Sequence, residues 1–301
     1  MSNTTSAWIS AARPRTLPLA LASILMGSFL AASTQQFSWA IFALACLTTI
    51  FLQILSNLAN DYGDSVHGAD SKHREGPSRA VQAGYISAKS MKNAMYLFAA
   101  LSFISGVLLL YVSLGASWRV FFTFLGLGIL CIIAAIAYTN GSSPYGYAGL
   151  GDISVMIFFG FVGVMGTYYL HTHSIYPLLA LPAASCGFFA TAVLNINNIR
   201  DISSDVMAGK RSIPVRLGPA KSRVYHWFLL IGGLACAAIY VWQTATSVYA
   251  WLFLLALPPL LINGLNVQRK SRPSDIDPYL KQMALTTLLF VLTFGIGQLL
   301  R

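Results

Sequence analysis

Two acidic clusters hold the residues best suited to chemistry. The first is Ser56-Asn57-Leu58-Ala59-Asn60-Asp61-Tyr62-Gly63-Asp64, and the second is Asn195-Ile196-Asn197-Asn198-Ile199-Arg200-Asp201-Ile202-Ser203-Ser204-Asp205; each ends a long apolar run. In both, an Asn precedes an Asp by four residues (Asn57 to Asp61, Asn197 to Asp201), and a further Asp follows after three or four (Asp64, Asp205). On a helix those spacings place the Asn and both carboxylates on one face. Oxygen donors without thiol or imidazole suit a hard cation, Mg²⁺ ahead of Ca²⁺. Mg²⁺ usually takes one or two carboxylates and completes its shell with water and substrate phosphate. Two facing carboxylate pairs therefore imply a phosphorylated or diphosphorylated ligand bridging two ions. Arg74 and Arg79 follow the first cluster and Lys210, Arg211 and Arg216 the second, where they can grip the remaining phosphate oxygens. Helix capping alone would explain one such cluster. Two, with matching spacing and cations downstream, point to a site.

The elements that carry these clusters belong in a membrane. The chain is 56% hydrophobic and only 9% charged, far below the quarter or so of charged residues in soluble domains. Apolar stretches of roughly bilayer length recur along it, at about 16–33, 38–58, 93–114, 118–138, 150–170, 176–197, 224–243, 248–267 and 282–300. Backbone amides in lipid must be satisfied within the segment, so these runs read as helices. A transmembrane barrel would instead show short alternating segments. The expectation is an all-α polytopic membrane protein with nine transmembrane helices in one domain, 1–301, and cytoplasmic cap segments over the clusters. The outer connections 34–37, 115–117, 171–175 and 244–247 are too short for an extracytoplasmic domain. The long connections, 59–92 and 198–223, each follow an acidic cluster.

Charge sets the orientation. With nine spans, all of the 19 Lys and Arg except Arg119 and Arg301 share one side, which the positive-inside tendency makes cytoplasmic. The N-terminus is then cytoplasmic and the C-terminus outside. The first span shows no cleavage site and reads as retained. All nine acidic residues also lie on the cytoplasmic side or at its helix ends, which topology does not demand. The net charge of +10 is accounted for by topology and anionic lipid and calls for no nucleic acid. Cys46, Cys131, Cys186 and Cys236 sit unpaired in apolar spans and read as small hydrophobes. His67 and His73 read as solvated loop residues, and His171 and His173 lie on the opposite face from the carboxylates.

A diphosphate at the cytoplasmic rim with an apolar tail among helices describes a polyprenyl diphosphate. Tyr62, Tyr138, Tyr145 and Tyr147 lie near that rim, where aromatic faces can hold an allylic cation. Three stretches then carry a family resemblance: LSNLANDYGDSVHGAD with REGPSRAVQAG (55–84), YTNGSSPYGYAGLGDISVMIFFG (138–160) and LNINNIRDISSDVMAGKRSIPVRLG (194–218). Along nearly its whole length the chain resembles the UbiA superfamily of intramembrane aromatic prenyltransferases, and within it the bacterial naphthoate branch. One departure is local: the broader pattern Asn-Asp-x-x-Asp-x-x-x-Asp meets Gly68 at its last position, and the next acid is Asp70.

The resemblance implies a UbiA-type bundle and a location in the bacterial cytoplasmic (inner) membrane, with the active site facing the cytoplasm. Asn57, Asp61, Asp64, Asp201 and Asp205 would hold two Mg²⁺ ions, the four Asp being catalytic, while Arg79, Lys210 and Lys72 bind diphosphate. Asn60, Asn197 and Asn198 would touch substrate, and the segment from Tyr138 through Tyr145 to Asp152 would shape the acceptor pocket. The implied reaction joins a polyprenyl diphosphate to 1,4-dihydroxy-2-naphthoate with loss of CO₂ and diphosphate, giving demethylmenaquinol for menaquinone biosynthesis. No protein partner is implied. The metal motifs read only the donor, so 4-hydroxybenzoate or another acceptor stays open. A cation-coupled transporter would carry its acids mid-membrane, and a CDP-alcohol phosphotransferase would carry one compact Asp-rich signature.

Overall fold

The computed structural model describes residues 2–66, 79–115 and 117–300. Lys72, Asp70, His67, His73, Arg74, Glu75 and the cap expected over that stretch lie outside the described residues. The described elements are α1 (Ser2–Ala12), α2 (Leu17–Ser33), α3 (Trp39–Val66), α4 (Ala88–Leu114) and α5 (Trp118–Ala137). They continue with α6 (Gly151–Thr172), α7 (Pro177–Arg200), α8 (Ile202–Met207), α9 (Ile213–Thr244), α10 (Val248–Arg269) and α11 (Pro273–Leu299). Nine helical stretches among the described residues are long and apolar enough to cross a membrane, one at each expected span.

Several helices begin well before the apolar run does. α4 starts at Ala88, five residues ahead of the expected span, and α11 at Pro273, nine ahead. Hydropathy marks only the lipid-facing length, whereas the helix continues through polar turns that carry their own start signals. Ser87 accepts the backbone N–H of Ser90 at 3.1 Å as an N-cap, and Pro273 takes the first turn, where a missing N–H costs nothing. α9 begins at Ile213 with a break at Gly218, whose φ of 77° only glycine adopts freely, ahead of Pro219. The first acidic cluster likewise lies inside a helix, since α3 continues to Val66.

The interior has three apolar clusters. The largest joins α2, α6, α7, α9, α10 and α11 around Phe189, Tyr240, Phe253, Phe290 and Phe294, all fully buried. Phe189 and Phe290 meet edge to face at 4.8 Å, a favoured aromatic geometry. A second cluster seats α1 on α3 and α4 through Ala7, Ala11, Leu55, Leu58, Met91 and Met95. A third, with Ile24, Ile41, Leu110, Leu114 and Leu170, closes the opposite end. α5 packs on α3 and α4 and buries none of its own residues. Residues 156–166 of α6 form a π-helical stretch; such turns are rare and concentrate at functional sites.

Candidate active site

A cavity of about 500 Å³ lies among α2, α3, α4, α5, α6, α7 and α11. Its polar end holds Asp64, Arg79, Asp205 and Lys210, and its wall continues along α6 from Asp152 to Leu170. At about 1.5 Å per residue that is a shaft on the order of 25 Å, close to the hydrocarbon depth of a bilayer. Between these ends the wall is built from residues such as Leu109, Phe124, Phe158, Phe159 and Val162.

α3 presents the first cluster by helical spacing, and its close contact with the 138–150 loop fixes the height. A Cβ on Gly63 would lie 2.5 Å from the Thr139 carbonyl oxygen, so only glycine admits this approach. The Thr139 hydroxyl and the Asn140 amide both donate to the Ala59 carbonyl, at 3.0 and 2.9 Å. Asp64, 2% exposed, receives Arg79 at 2.7 Å on one oxygen; on the other it receives the Tyr147 hydroxyl at 2.9 Å and lies 3.2 Å from Lys210 Nζ. Lys210 also lies 3.5 Å from Asp205 and over the Tyr147 ring at 4.8 Å. One ammonium thus joins the two motifs across some 140 residues of sequence. The backbone N–H of Arg211 donates to the Tyr147 carbonyl at 2.8 Å, which ties the loop to the second motif's downstream segment.

Asp205 opens toward the same cavity from α8. Burial pushes its carboxyl up to about 6; Lys210 opposes that shift, while Asp201 and Asp64 add to it. The direction means that the site gains from positive charge brought close to it. Asp201 is matched differently. Arg200 donates to both of its oxygens, at 2.7 and 2.6 Å, to Asn197 at 2.9 Å and to Asp277 on α11. Asn197, Asn198 and Asp201 still border the cavity.

Other expected site residues have more local tasks. Asp61 does not border the cavity; its oxygens accept the backbone N–H groups of Ala80 and Val81 at 3.1 and 3.2 Å and hold the returning chain against α3. The Asn57 amide donates to the Ala12 carbonyl at 2.9 Å and to Thr16 at 3.0 Å, tying α1 down at the rim of the cavity. Asn60 accepts from Thr139 at 3.2 Å and borders the cavity. Tyr62 packs into the α1–α3–α4 cluster and lies away from the cavity.

Tyr138 and Tyr145 meet edge to face at 5.3 Å on the cavity wall. Tyr138 is half-buried with its open side toward the cavity; surrounding protein holds its hydroxyl well above the usual range, and Asp152, Tyr145, Asp64 and Asp205 reinforce this. Burial raises Tyr145 too, against a hydrogen bond from Ser154 at 3.1 Å. Asp152 at the start of α6 accepts from Tyr225 of α9 at 3.0 Å. The Arg200–Asp277 and Asp152–Tyr225 pairs were absent from the sequence reading, because no local spacing links residues more than seventy positions apart. Tyr147 stood there only as one of several rim aromatics.

The donor set fits Mg²⁺. Two carboxylates from different elements converge on one positive group, with the amide side chains of Asn60, Asn197 and Asn198 on the same cavity. Mg²⁺ needs only one or two protein carboxylates per ion, the rest of its shell coming from water and phosphate.

Comparison with known proteins gives three findings. The UbiA prenyltransferase family pattern matches residues 20–293. The chain is 49% identical over 295 residues to a Haemophilus influenzae protein named 1,4-dihydroxy-2-naphthoate octaprenyltransferase, covering 97% of this chain and 96% of that one. It is 48% identical to the Escherichia coli protein of the same name, covering 98% and 96%. Among solved structures, a UbiA homolog from Archaeoglobus fulgidus bound to DMAPP and Mg²⁺ superposes with a TM-score of 0.66 at 16% identity, covering 96% of this chain and 99% of that one.

Proposed function

The chain belongs to the UbiA prenyltransferase family, and from that premise we propose that it transfers a polyprenyl group from a polyprenyl diphosphate to 1,4-dihydroxy-2-naphthoate. Diphosphate and CO₂ leave, and the product is demethylmenaquinol for menaquinone biosynthesis. The observation that carries the reading is near-half identity, over almost the full length, to two proteins named for this acceptor. The cavity supports it independently: a charged head at one end and an apolar shaft of bilayer depth fit a diphosphate with an isoprenoid tail.

Asp64 and Asp205 would hold Mg²⁺, two ions in all, with Asn60, Asn197, Asn198 and Asp201 at hand. Bound there, the cation makes diphosphate a competent leaving group by neutralising its charge. Arg79 and Lys210 bind the phosphate oxygens. Asp61, Asn57 and the Arg200–Asp277 pair position the helices that carry these groups. The Tyr138 face, turned to the cavity, favours positive charge on the allylic carbon. Leu109, Phe124, Phe158 and Val162 take the tail and keep water from the cation. The Lys and Arg asymmetry supports an N-terminus and active site on the cytoplasmic side, and the bacterial relatives support a bacterial cytoplasmic membrane. A transporter is disfavoured because the carboxylates gather at one end of the cavity beside Arg79 and Lys210.

Purified protein with Mg²⁺, a polyprenyl diphosphate and a panel of acceptors tests the reading. Release of CO₂ with a prenylated naphthoquinol is expected, and chelation should abolish it. Preferential prenylation of 4-hydroxybenzoate, or turnover without divalent metal, overturns it.

A further inference from the structure

The described carboxylates of the two acidic motifs are each matched: Asp64 by Arg79 and Lys210, Asp205 by Lys210, Asp201 by Arg200, and Asp61 by two backbone amides. Asp152 differs. It borders the cavity at 8% exposure, and no Lys, Arg or His among the described residues pairs with it. Its side-chain partner is the neutral Tyr225 hydroxyl at 3.0 Å, on a ring that stacks against Phe228 at 6.1 Å. A carboxylate so buried, with one neutral donor, is poorly compensated, and such groups in clefts are candidates for function.

Its neighbourhood places it beside the donor site. A Cβ at Gly151 would lie 2.9 Å from the Tyr138 hydroxyl, and that hydroxyl feels the charges of Asp152, Asp64 and Asp205 together. Tyr138 thus lies within electrostatic reach of both the diphosphate end and Asp152. The donor half has no use for this carboxylate, because a further negative charge with no cation of its own would repel diphosphate. The second substrate has a use for it, because a naphthalenediol attacks through carbon only as its neighbouring hydroxyl loses a proton.

We propose that Asp152 is the base for the acceptor, taking the proton of the ring hydroxyl ortho to the carbon that is prenylated, with Tyr225 as the positioning residue that holds the carboxylate. This rests on the acceptor assigned above. As the O–H bond breaks, its electron pair moves into the ring, and the ortho carbon forms its bond to the allylic carbon. The allylic C–O bond breaks, and its pair leaves with diphosphate. The β-keto acid so formed loses CO₂, and the released pair gives an enolate that recovers the proton from Asp152. The ring is aromatic again, and no oxidant or reductant is needed.

The test uses the full chain in detergent with Mg²⁺, farnesyl or a longer polyprenyl diphosphate, and 1,4-dihydroxy-2-naphthoate. Asp152→Asn keeps the size and can still accept from Tyr225, so the thermal midpoint and the KM for prenyl diphosphate should stay within about twofold. The kcat should fall by about 10²–10⁴, the range for a lost general base. Acceptor binding, followed by calorimetry without prenyl diphosphate, should weaken as the charged partner is removed. Tyr225→Phe leaves the carboxylate and removes its holder; a roughly tenfold loss of kcat at constant prenyl diphosphate KM is expected, smaller than the loss of about 10²–10⁴ for removal of the base itself. An Asn variant with near wild-type kcat overturns the proposal, as does one that loses midpoint and both KM values together, and an unchanged kcat in Tyr225→Phe also counts against it. A wild-type protein that fails to prenylate the naphthoate overturns the functional reading instead.

Discussion

Replacing Lys210 by Met should change metal binding and turnover in opposite directions. In the free protein the ammonium lies 3.2 Å from Asp64 and 3.5 Å from Asp205, so it occupies the electrostatic position that a divalent cation would compete for. Removing it leaves two carboxylates from different elements with Arg79 still bound to one of them. A hydrogen bond to a charged group is worth about 1.5–3 kcal/mol net, which converts to about ten- to 150-fold in an equilibrium constant. Mg²⁺ added alone to Lys210→Met should therefore bind more tightly than to wild type, toward the lower end of that range. Turnover should fall over the same range, because the same ammonium no longer reaches a phosphate oxygen. Calorimetry with Mg²⁺ alone, beside kcat/KM for the prenyl diphosphate, reads both effects. Metal affinity that drops along with turnover refutes the role as competitor for the cation. A kcat/KM within threefold of wild type refutes the phosphate contact.

Two further substitutions probe how the site is held. Gly63→Ala places a Cβ 2.5 Å from the Thr139 carbonyl oxygen; overpacking of this kind costs about 1–3 kcal/mol, so both the thermal midpoint and prenyl diphosphate kcat/KM should drop, and a wild-type midpoint refutes the contact. Arg200→Met strands Asp201, whose side chain is 7% exposed. Breaking a buried pair costs about 3–5 kcal/mol, so recovery of folded protein by size exclusion should fall, and adding Asp201→Asn should restore part of it. An Arg200→Met variant as well folded as wild type argues against the Arg200 pairs as a structural tie.

Much of the donor half was legible because it depends on local spacing. Asn57, Asp61 and Asp64 fall on one helix by the three- and four-residue rule, and Asp201 and Asp205 continue from α7 into α8 in the same way. Residue type then pointed to a hard cation. Local spacing does not reveal which member of each cluster faces the cavity. Asp61 and Asp64 are three residues apart, yet one caps the 80–81 backbone and the other meets Arg79 and Lys210. That division depends on where the chain returns after α3, which is a tertiary fact. Spans were legible as apolar lengths, but their starts at Ala88, Ile213 and Pro273 were not, because polar helical turns carry no hydropathy signal. The π-helical turns of α6 have no pattern of their own in a run such as Met156–Gly166.

The pattern of charge compensation separates the roles that composition alone runs together. A carboxylate that must release its partner to a metal–diphosphate needs a partner that itself binds phosphate, the role proposed above for Arg79 and Lys210, which pair with Asp64 and Asp205. A carboxylate that only holds helices together keeps its partner throughout. Arg200 fits that description, since its fork is shared among Asp201, Asn197 and Asp277 and α11 would have to move for it to leave. A carboxylate meant to accept a proton needs no cation at all, because a fixed positive neighbour would lower its basicity. Asp152 alone among the described cavity carboxylates meets that condition. The described carboxylates on the cavity, Asp64, Asp205, Asp201 and Asp152, thus fall into three kinds of partnership, and each kind matches one requirement of the proposed reaction, which activates a diphosphate at one end of a cavity and an aromatic hydroxyl beside it.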